Sequence, residues 1–453
     1  MKTHSLRTVA ILSSGVLALG VLAGCSPTAA PTPPASSSST EPAGTPGVPE
    51  VTLTLLTPNA QNTVTATEAV IEAFKVAYPS ITVELHTRPG GDEGANVVKT
   101  RLATGEMEDV FLFNSGALAF QLNLDSTILD LSGEGWATAV DPMWWPAVST
   151  ESGRYGAPFL TSQVGAMLYN RKVLEQLDIE VPTSWAEFVA AAEKVKNSGG
   201  GIDPVLQAYG DAWTAQMMVL TSFANVAQAD SEWADAFTRN ERRFVDEPAF
   251  EGWRHLEDLH TRGLLNEDFA AMTNDAAANR LAAGEAAFYP MLSSNVLALV
   301  QQNAPDAVND IGAFATPADN PDHSAITVWL PNALFIPKTT EGDKLIAAKL
   351  FLEFLGSPAG CEAQAKTYAP TGPFLNGRCE LPDGLLSIVA DVNTYHDAGK
   401  ASPALEFLSP VKGTNLAPLA VEVGSGIRSA AETAAAFDED NRMAAQQLGL
   451  PGW

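Results

Sequence analysis

Between Val51 and Asn114 the chain switches repeatedly between two hydrophobic periods, and that alternation constrains the fold more than any other feature. "VTLTLLT" (51–57) alternates and is β-branched, so it reads as a strand. "TVTATEAVIEAFKVAYP" (63–79) places Val70, Ile71, Phe74 and Ala77 on one helical face, and Tyr78-Pro79 stops it. "ITVELH" (81–86) is a second strand, "TRPGGDEG" a loop, the stretch through Leu102 a helix, and "DVFLFN" (109–114) a third strand. Strands separated by helices imply an α/β fold with a mostly parallel sheet flanked by helices. Ligands of such sheets bind beyond the carboxyl ends of the strands. Those ends are Thr57-Pro58-Asn59, the stretch His86 to Gly94, and Asn114-Ser115-Gly116, all polar or glycine-rich.

After residue 160 the pattern becomes more helical. "SWAEFVAAAEKVKNSGG" (184–200) starts with an N-cap serine and Glu187 three residues on, and ends in glycine, the pattern of a capping-box helix. "EPAFEGWRHLEDLHTRG" and "DKLIAAKLFLEFLGSP" are further amphipathic helices, and no internal repeat is present. Single cores stop growing beyond about 250–300 residues, so residues 50–453 call for two domains. Hydrophobic residues make up 46% of the chain, enough to fill both cores. The formal net charge is −27. Without Lys2 and Arg7 the 26 basic residues become 24 against 53 acidic ones, a balance of −29 that repels nucleic acid and anionic lipid.

Lys2 and Arg7 precede the apolar, small-residue run "VAILSSGVLALGVLAG", which is laid out as a secretory signal and is short for a membrane span. It ends in Leu22-Ala23-Gly24-Cys25, which resembles the lipobox of bacterial lipoproteins. There, cleavage leaves the cysteine first and its thiol carries diacylglycerol. Residues 1–24 are then a signal peptide and Cys25 a lipid-modified tether. The rest of the segment 25–49, "SPTAAPTPPASSSSTEPAGTPGVP", buries too little apolar surface to fold and serves as a spacer. The expected location is the outer face of the cell membrane, held by lipid. Export also places the other cysteines, Cys361 and Cys379, in an oxidising compartment, which favours a disulfide closing the short loop between them; two unpaired thiols are the alternative.

Four segments then appear in order: "LATGEMEDVFLFN", "YGAPFLTSQVGAMLYNRKVLEQLDIEVPTSWAEFVAAAEKVK", "NRLAAGEAAFYP" and "WLPNALFIPKTTEGDKLIAAKLFLEFLGSP". Together they resemble the extracellular solute-binding proteins of ABC importers, the family that includes maltose- and oligosaccharide-binding proteins. The resemblance covers nearly all of residues 50–380. It implies the two-lobed periplasmic-binding-protein fold, with crossings near Pro158 to Ser162, near Trp329 and near Pro370. Residues 50–159 plus 330–370 would form one lobe, and 160–328 plus 371–453 the other. It implies a monomer that binds a small carbohydrate between the lobes, closes over it and hands it to the importer's permease subunits, without catalysis or cofactor.

A sugar pocket needs aromatic plates and short polar side chains in a concave site. Trp213 in "YGDAWTAQMM" sits where the family often places an aromatic platform. Trp329 and Asn332 lie at the second crossing, and Gln163 lies just past the first. Tyr289 and Ser293 follow the strand "AAF", and Thr371 and Phe374 follow the last crossing in "APTGPF". Asn114 and Ser115 end a strand of the first lobe, with Asn62 and Asp92 on the neighbouring strand-end loops. Where the family usually shows a tryptophan near "AAFYPMLSS", this chain has Ser293-Ser294.

Other chemistries have weaker support. "GGDEG" (90–94) is shared with a cyclase motif that acts on cytoplasmic GTP, whereas this chain carries an export leader. His255 and His260, with Glu251 and Asp258, invite a metal reading, but five-residue spacing turns the histidines apart and suggests a solvated face, so no metal is expected. No nucleophile elbow or phosphate loop occurs, and no carboxylate pair stands out as a glycosidase dyad. An exported glycoside hydrolase and a binder of another polar solute, such as a polyamine or phosphodiester, are the alternatives.

Overall fold

The computed structural model describes residues 47–367 and 369–453, with Asp92 described by its backbone; the leader, Cys25 and the spacer up to residue 46 lie outside the described residues. Eleven strands occur among them: β1 (Val51–Pro58), β2 (Ile81–Arg88), β3 (Val110–Phe113), β4 (Gly156–Phe159), β5 (Gln163–Asn170), β6 (Asp203–Val205), β7 (Ala286–Leu292), β8 (Ile311–Phe314), β9 (Ile326–Trp329), β10 (Asn332–Phe335) and β11 (Ala401–Pro403). They form two sheets, each flanked by helices, and these are the two lobes. The first has the order β2-β1-β3-β10-β4; the second runs β11-β9-β5-β7-β6, with β8 pairing β5.

In the first lobe, β1 pairs β2 in parallel from Val51 opposite Ile81 to Pro58 opposite Arg88, and pairs β3 in parallel on its other edge. The strand β2 therefore runs two residues past His86, and the helix Gly91–Thr104 absorbs most of the expected "GGDEG" loop. The helix Gln61–Ala77 buries Ala66, Val70 and Phe74, an i, i+4, i+8 stripe, while Ala77 stays exposed. Phe74 stands edge-on to Phe351 and Phe354 of the helix Gly342–Leu355, with centroids 4.9 and 5.5 Å away.

The chain enters the second lobe from β4 to β5 and returns from β9 to β10, and each pair of partners lies side by side in its sheet. A strand that leaves beside the one that entered must run against it. Hence β10 is antiparallel to β3 and β4, and β5 is antiparallel to β7, β8 and β9. Among the described residues of the second lobe, strands pair in parallel at β6 with β7 and β9 with β11, and Val205 bridges Leu265 in parallel. The expectation of a mostly parallel sheet is thus corrected there: the double crossing sets the polarity.

The third passage also differs. Ser162 N donates to Pro373 O at 3.0 Å, but Asn376 then bridges back to Val140, and a disulfide joins Cys379 to Cys361 on the helix Pro358–Thr367. Residues 371–379 therefore stay with the first lobe past Pro370. The next helix, Ser387–Asp397, packs on β8 of the second.

At the start of the helix Trp185–Asn197, Ser184 Oγ accepts from Glu187 N at 3.3 Å, while the Glu187 carboxylate takes Thr183 N. The capping box is therefore displaced by one residue. A complete box closes at Ser429 and Glu432.

Candidate ligand-binding site

The segment after β3 touches both the second crossing and the 404–407 stretch. Ser115, which is buried, donates its Oγ to Pro331 O at 2.8 Å, tying the strand end to the second crossing. Gly116 follows with φ +73°, and its N–H donates to Ala147 O at 2.7 Å. A Cβ here would fall within contact distance of the Glu406 carbonyl oxygen and 2.8 Å from Phe407 Cδ1. Both the left-handed backbone and the close approach require glycine. The 404–407 stretch is fixed from the other side, since Ala404 N donates to Val328 O at 2.9 Å.

Beside this junction lies a cavity of about 420 Å³ whose walls come from both lobes. Leu118 and Gln121 line it from the first lobe, and Gln216, Val219, Glu406 and Lys412 from the second. Trp329 Nε1 donates to Glu406 Oε1 at 2.8 Å, and Lys412 Nζ pairs with Glu406 Oε2. Both carboxylate oxygens are therefore held in place. A largely apolar concavity with a few oriented polar groups fits a small-molecule site, where the apolar walls take up surface and the polar groups fix orientation.

The anticipated residues are distributed unevenly around it. Trp213 is 36% exposed, in the turn Ala212–Gln216 that ends at the cavity-lining Gln216. It does not itself line the cavity. Trp329 lies against the backbone of Gly165 and reaches the site through Glu406. Gln163 pairs with Trp329 across β5 and β9 and accepts from Ser294 Oγ. Asn332 is half-buried opposite Phe159, and Asn114 is exposed at the end of β3.

Six of the expected residues stand in other surroundings. Tyr289 is 1% exposed, donates its hydroxyl to Asn274 Oδ1 at 2.9 Å, and has its phenol pushed above the ordinary range by burial. It is a core residue, because both faces of β7 are covered. Ser293 is fully buried and accepts from Val164 N at 3.2 Å, which makes it a clasp between β5 and β7 rather than a free hydroxyl. Thr371 is buried, and its Oγ1 has no hydrogen-bond partner among the described residues; Phe374 bridges Thr161 at the hinge. Asn62 is exposed and accepts from the neighbouring Thr63 N at 2.9 Å, and Asp92 falls in the first turn of the helix Gly91–Thr104.

Gly116, Gln121, Gln216, Glu406 and Lys412 were not singled out from the sequence. The one available signal was "SPVKGTN" (409–415), a proline- and glycine-containing loop in a helical region. The supposed solvated face of the helix Glu251–Thr261 is also corrected, since His255 is fully buried and hydrogen-bonded to Asp319.

A family model described as bacterial extracellular solute-binding protein matches residues 58–361. The melibiose/raffinose/stachyose-binding protein MelE of Bacillus subtilis (strain 168) is 23% identical over 338 residues, covering 72% of this chain and 72% of its own. Among solved structures, an open conformation of a binding protein named MsmE from Bacillus subtilis subsp. subtilis strain 168 aligns with a TM-score of 0.73. Its identity is 19%, over 88% of this chain and 99% of that one. A solute-binding protein RafE in complex with raffinose aligns with a TM-score of 0.68 at 19% identity, over 86% of this chain and all of its own. At such identities the two structures establish likeness of fold.

Proposed function

Because the chain belongs to the bacterial extracellular solute-binding proteins, we propose that it captures an oligosaccharide in the inter-lobe cavity and presents it to an ABC importer. The observation that carries this reading is the cavity itself, walled by both lobes and holding one carboxylate by two fixed donors. Sugars present hydroxyl edges and C–H faces. Glu406, Gln121 and Gln216 supply partners for the first, and Leu118 and Val219 suit the second, with the exposed Trp213 three residues before Gln216. The relative named for melibiose, raffinose and stachyose, and the RafE complex with raffinose, make these sugars the first ligands to try.

Binding shifts an open–closed equilibrium by its preference for the closed state, and no bond is broken. Asn114, Gln163, Asn332, Thr371 and Phe374 lie along the strand ends and hinge segments that move relative to one another on closure. Asn62 and Asp92 stand in the first turns of the helices that follow β1 and β2. Cys25 carries the lipid that holds the protein at the outer membrane face, and the proline-rich spacer gives it reach.

The test is a thermal-shift panel of oligosaccharides, with a polyamine and a phosphodiester as contrasts. A ligand bound only by the folded state raises the midpoint. A rise with at least one saccharide, recovered intact afterwards, supports the reading. A rise with the contrasts alone replaces the sugar, and cleavage of the saccharide replaces the binding role. For the anchor, Cys25→Ala should release the protein from the membrane fraction; a variant still lipid-modified contradicts it.

A further inference from the structure

The helix Glu251–Thr261 brings Glu251 and His255, four residues apart, onto one side, and Asp319 lies against them from the segment after β8. His255 Nε2 stands 3.0 Å from Asp319 Oδ1 and 3.7 Å from Glu251 Oε1, and the three donor atoms all lie within 4.8 Å of one another. The ring cannot easily turn away. Trp185 stacks on it face to face at 3.7 Å, and Trp185 Nε1 is itself held by Asp258 Oδ2 at 3.1 Å. The carboxylates are also positioned: Glu251 accepts from Asp319 N, while Arg254 takes Asp319 Oδ2 and leaves Oδ1 facing the imidazole.

Arg254 pairs with Asp319 and with Glu247, not with Glu251, and the imidazole Nε2 can give a proton to only one of the two carboxylates that face it. A cation among the three donor atoms would meet both carboxylates and the ring nitrogen at once. Donors about 2.0–2.2 Å from a common ion stand roughly 3.0–3.6 Å apart, near the 3.0 and 3.7 Å separations of Nε2 from the two oxygens, and the full set, within 4.8 Å, would draw together on binding. One imidazole and two carboxylates favour first-row transition ions over Mg²⁺ or Ca²⁺, which take oxygen ligands, and over Cu(I), which takes sulfur. We propose that Glu251, His255 and Asp319 bind a divalent transition cation of the Zn²⁺ class, with water completing its coordination. The metal reading set aside from the sequence held His255 and Glu251 together with His260 and Asp258, and it lacked Asp319. Glu251 is one helical turn from His255, and Asp319 is 64 residues distant. The site lies behind the cavity wall, because Gly252 packs against Val219 Cα and Ser222 of the neighbouring helix.

The test uses untagged, chelator-treated full-length protein titrated with Zn²⁺ by calorimetry, with Mg²⁺ as the contrast. One Zn²⁺ per chain and a raised melting midpoint are expected, with no response to Mg²⁺. Glu251→Gln and Asp319→Asn should each weaken binding at least tenfold, and His260→Ala should leave it unchanged. Asp319 is half-exposed, so its variant keeps the test informative should Glu251→Gln fail to fold. No saturable Zn²⁺ binding, equal binding of Mg²⁺, or binding that survives both ligand substitutions would overturn the proposal.

Discussion

Trp213 and Tyr289 show what a single residue reveals in sequence and what it conceals. Both are aromatic, both precede helical segments, and each offers one polar atom. The environment separates them: Trp213 is exposed, three residues before the cavity-lining Gln216, whereas Tyr289 is sealed in β7 with its hydroxyl satisfied by Asn274. Sequence periodicity could not show this, since a strand covered on both faces loses its alternation. Trp213→Ala should therefore cost on the order of 2 kcal/mol of ligand affinity, roughly thirty-fold, while the melting midpoint of the free protein barely moves. Tyr289→Phe should do the reverse, costing about 1 kcal/mol of stability at unchanged affinity. Titration and denaturant unfolding on the same two variants check both. A third residue carries a pH signature. Asp438 accepts the N–H groups of Phe244 and Val245, and burial pushes its carboxyl up to about 6. A raised folded-state value means that its contribution is fully present below the unfolded value, about 3.9, and is lost as pH rises through 6. The stability difference between wild type and Asp438→Ala should accordingly shrink between pH 4 and 7; a difference that grows over that range contradicts the assignment.

At the scale of elements, local rules read the first lobe well and the second less well. The stretch β1 to β3 is built from neighbours in sequence, so two periodicities suffice to place strands, helix and polar strand ends. The polarity of β5 and β9 depends on where the chain crosses, which no local window contains. The segment 404–416 is the sharpest case. It has weak periodicity, yet it supplies Glu406 and Lys412 and presses on Gly116 from across the junction. Gly116→Ala must open that contact and hold a left-handed backbone. It should cost about 1–3 kcal/mol of stability and weaken ligand binding, as read by unfolding and titration. The disulfide was legible because export and a short loop constrain pairing chemically. Its closure of a loop 18 residues long should contribute about 3 kcal/mol, so Cys379→Ser should lose about that much unfolding free energy and melt at a lower midpoint, and reductant should have no further effect on the variant.

On the scale of the whole molecule, the account rests on two lobes sharing hinge segments and a cavity between them. Composition limited the partners from the start, since a chain at −27 is a poor ligand for nucleic acid or anionic membranes. The order of four sequence segments pointed to the family, and the family match over residues 58–361 establishes it. What the sequence did not disclose is the location of the pocket, because its walls come from residues near 118, 216 and 406 that meet only after folding. Calorimetric titration of raffinose, stachyose and a wider oligosaccharide panel into wild type and Glu406→Ala tests this most directly. The account predicts saturable one-to-one binding of at least one saccharide by wild type and at least tenfold weaker binding by the variant. Failure of every saccharide to bind, or equal affinity in the two proteins, would contradict it.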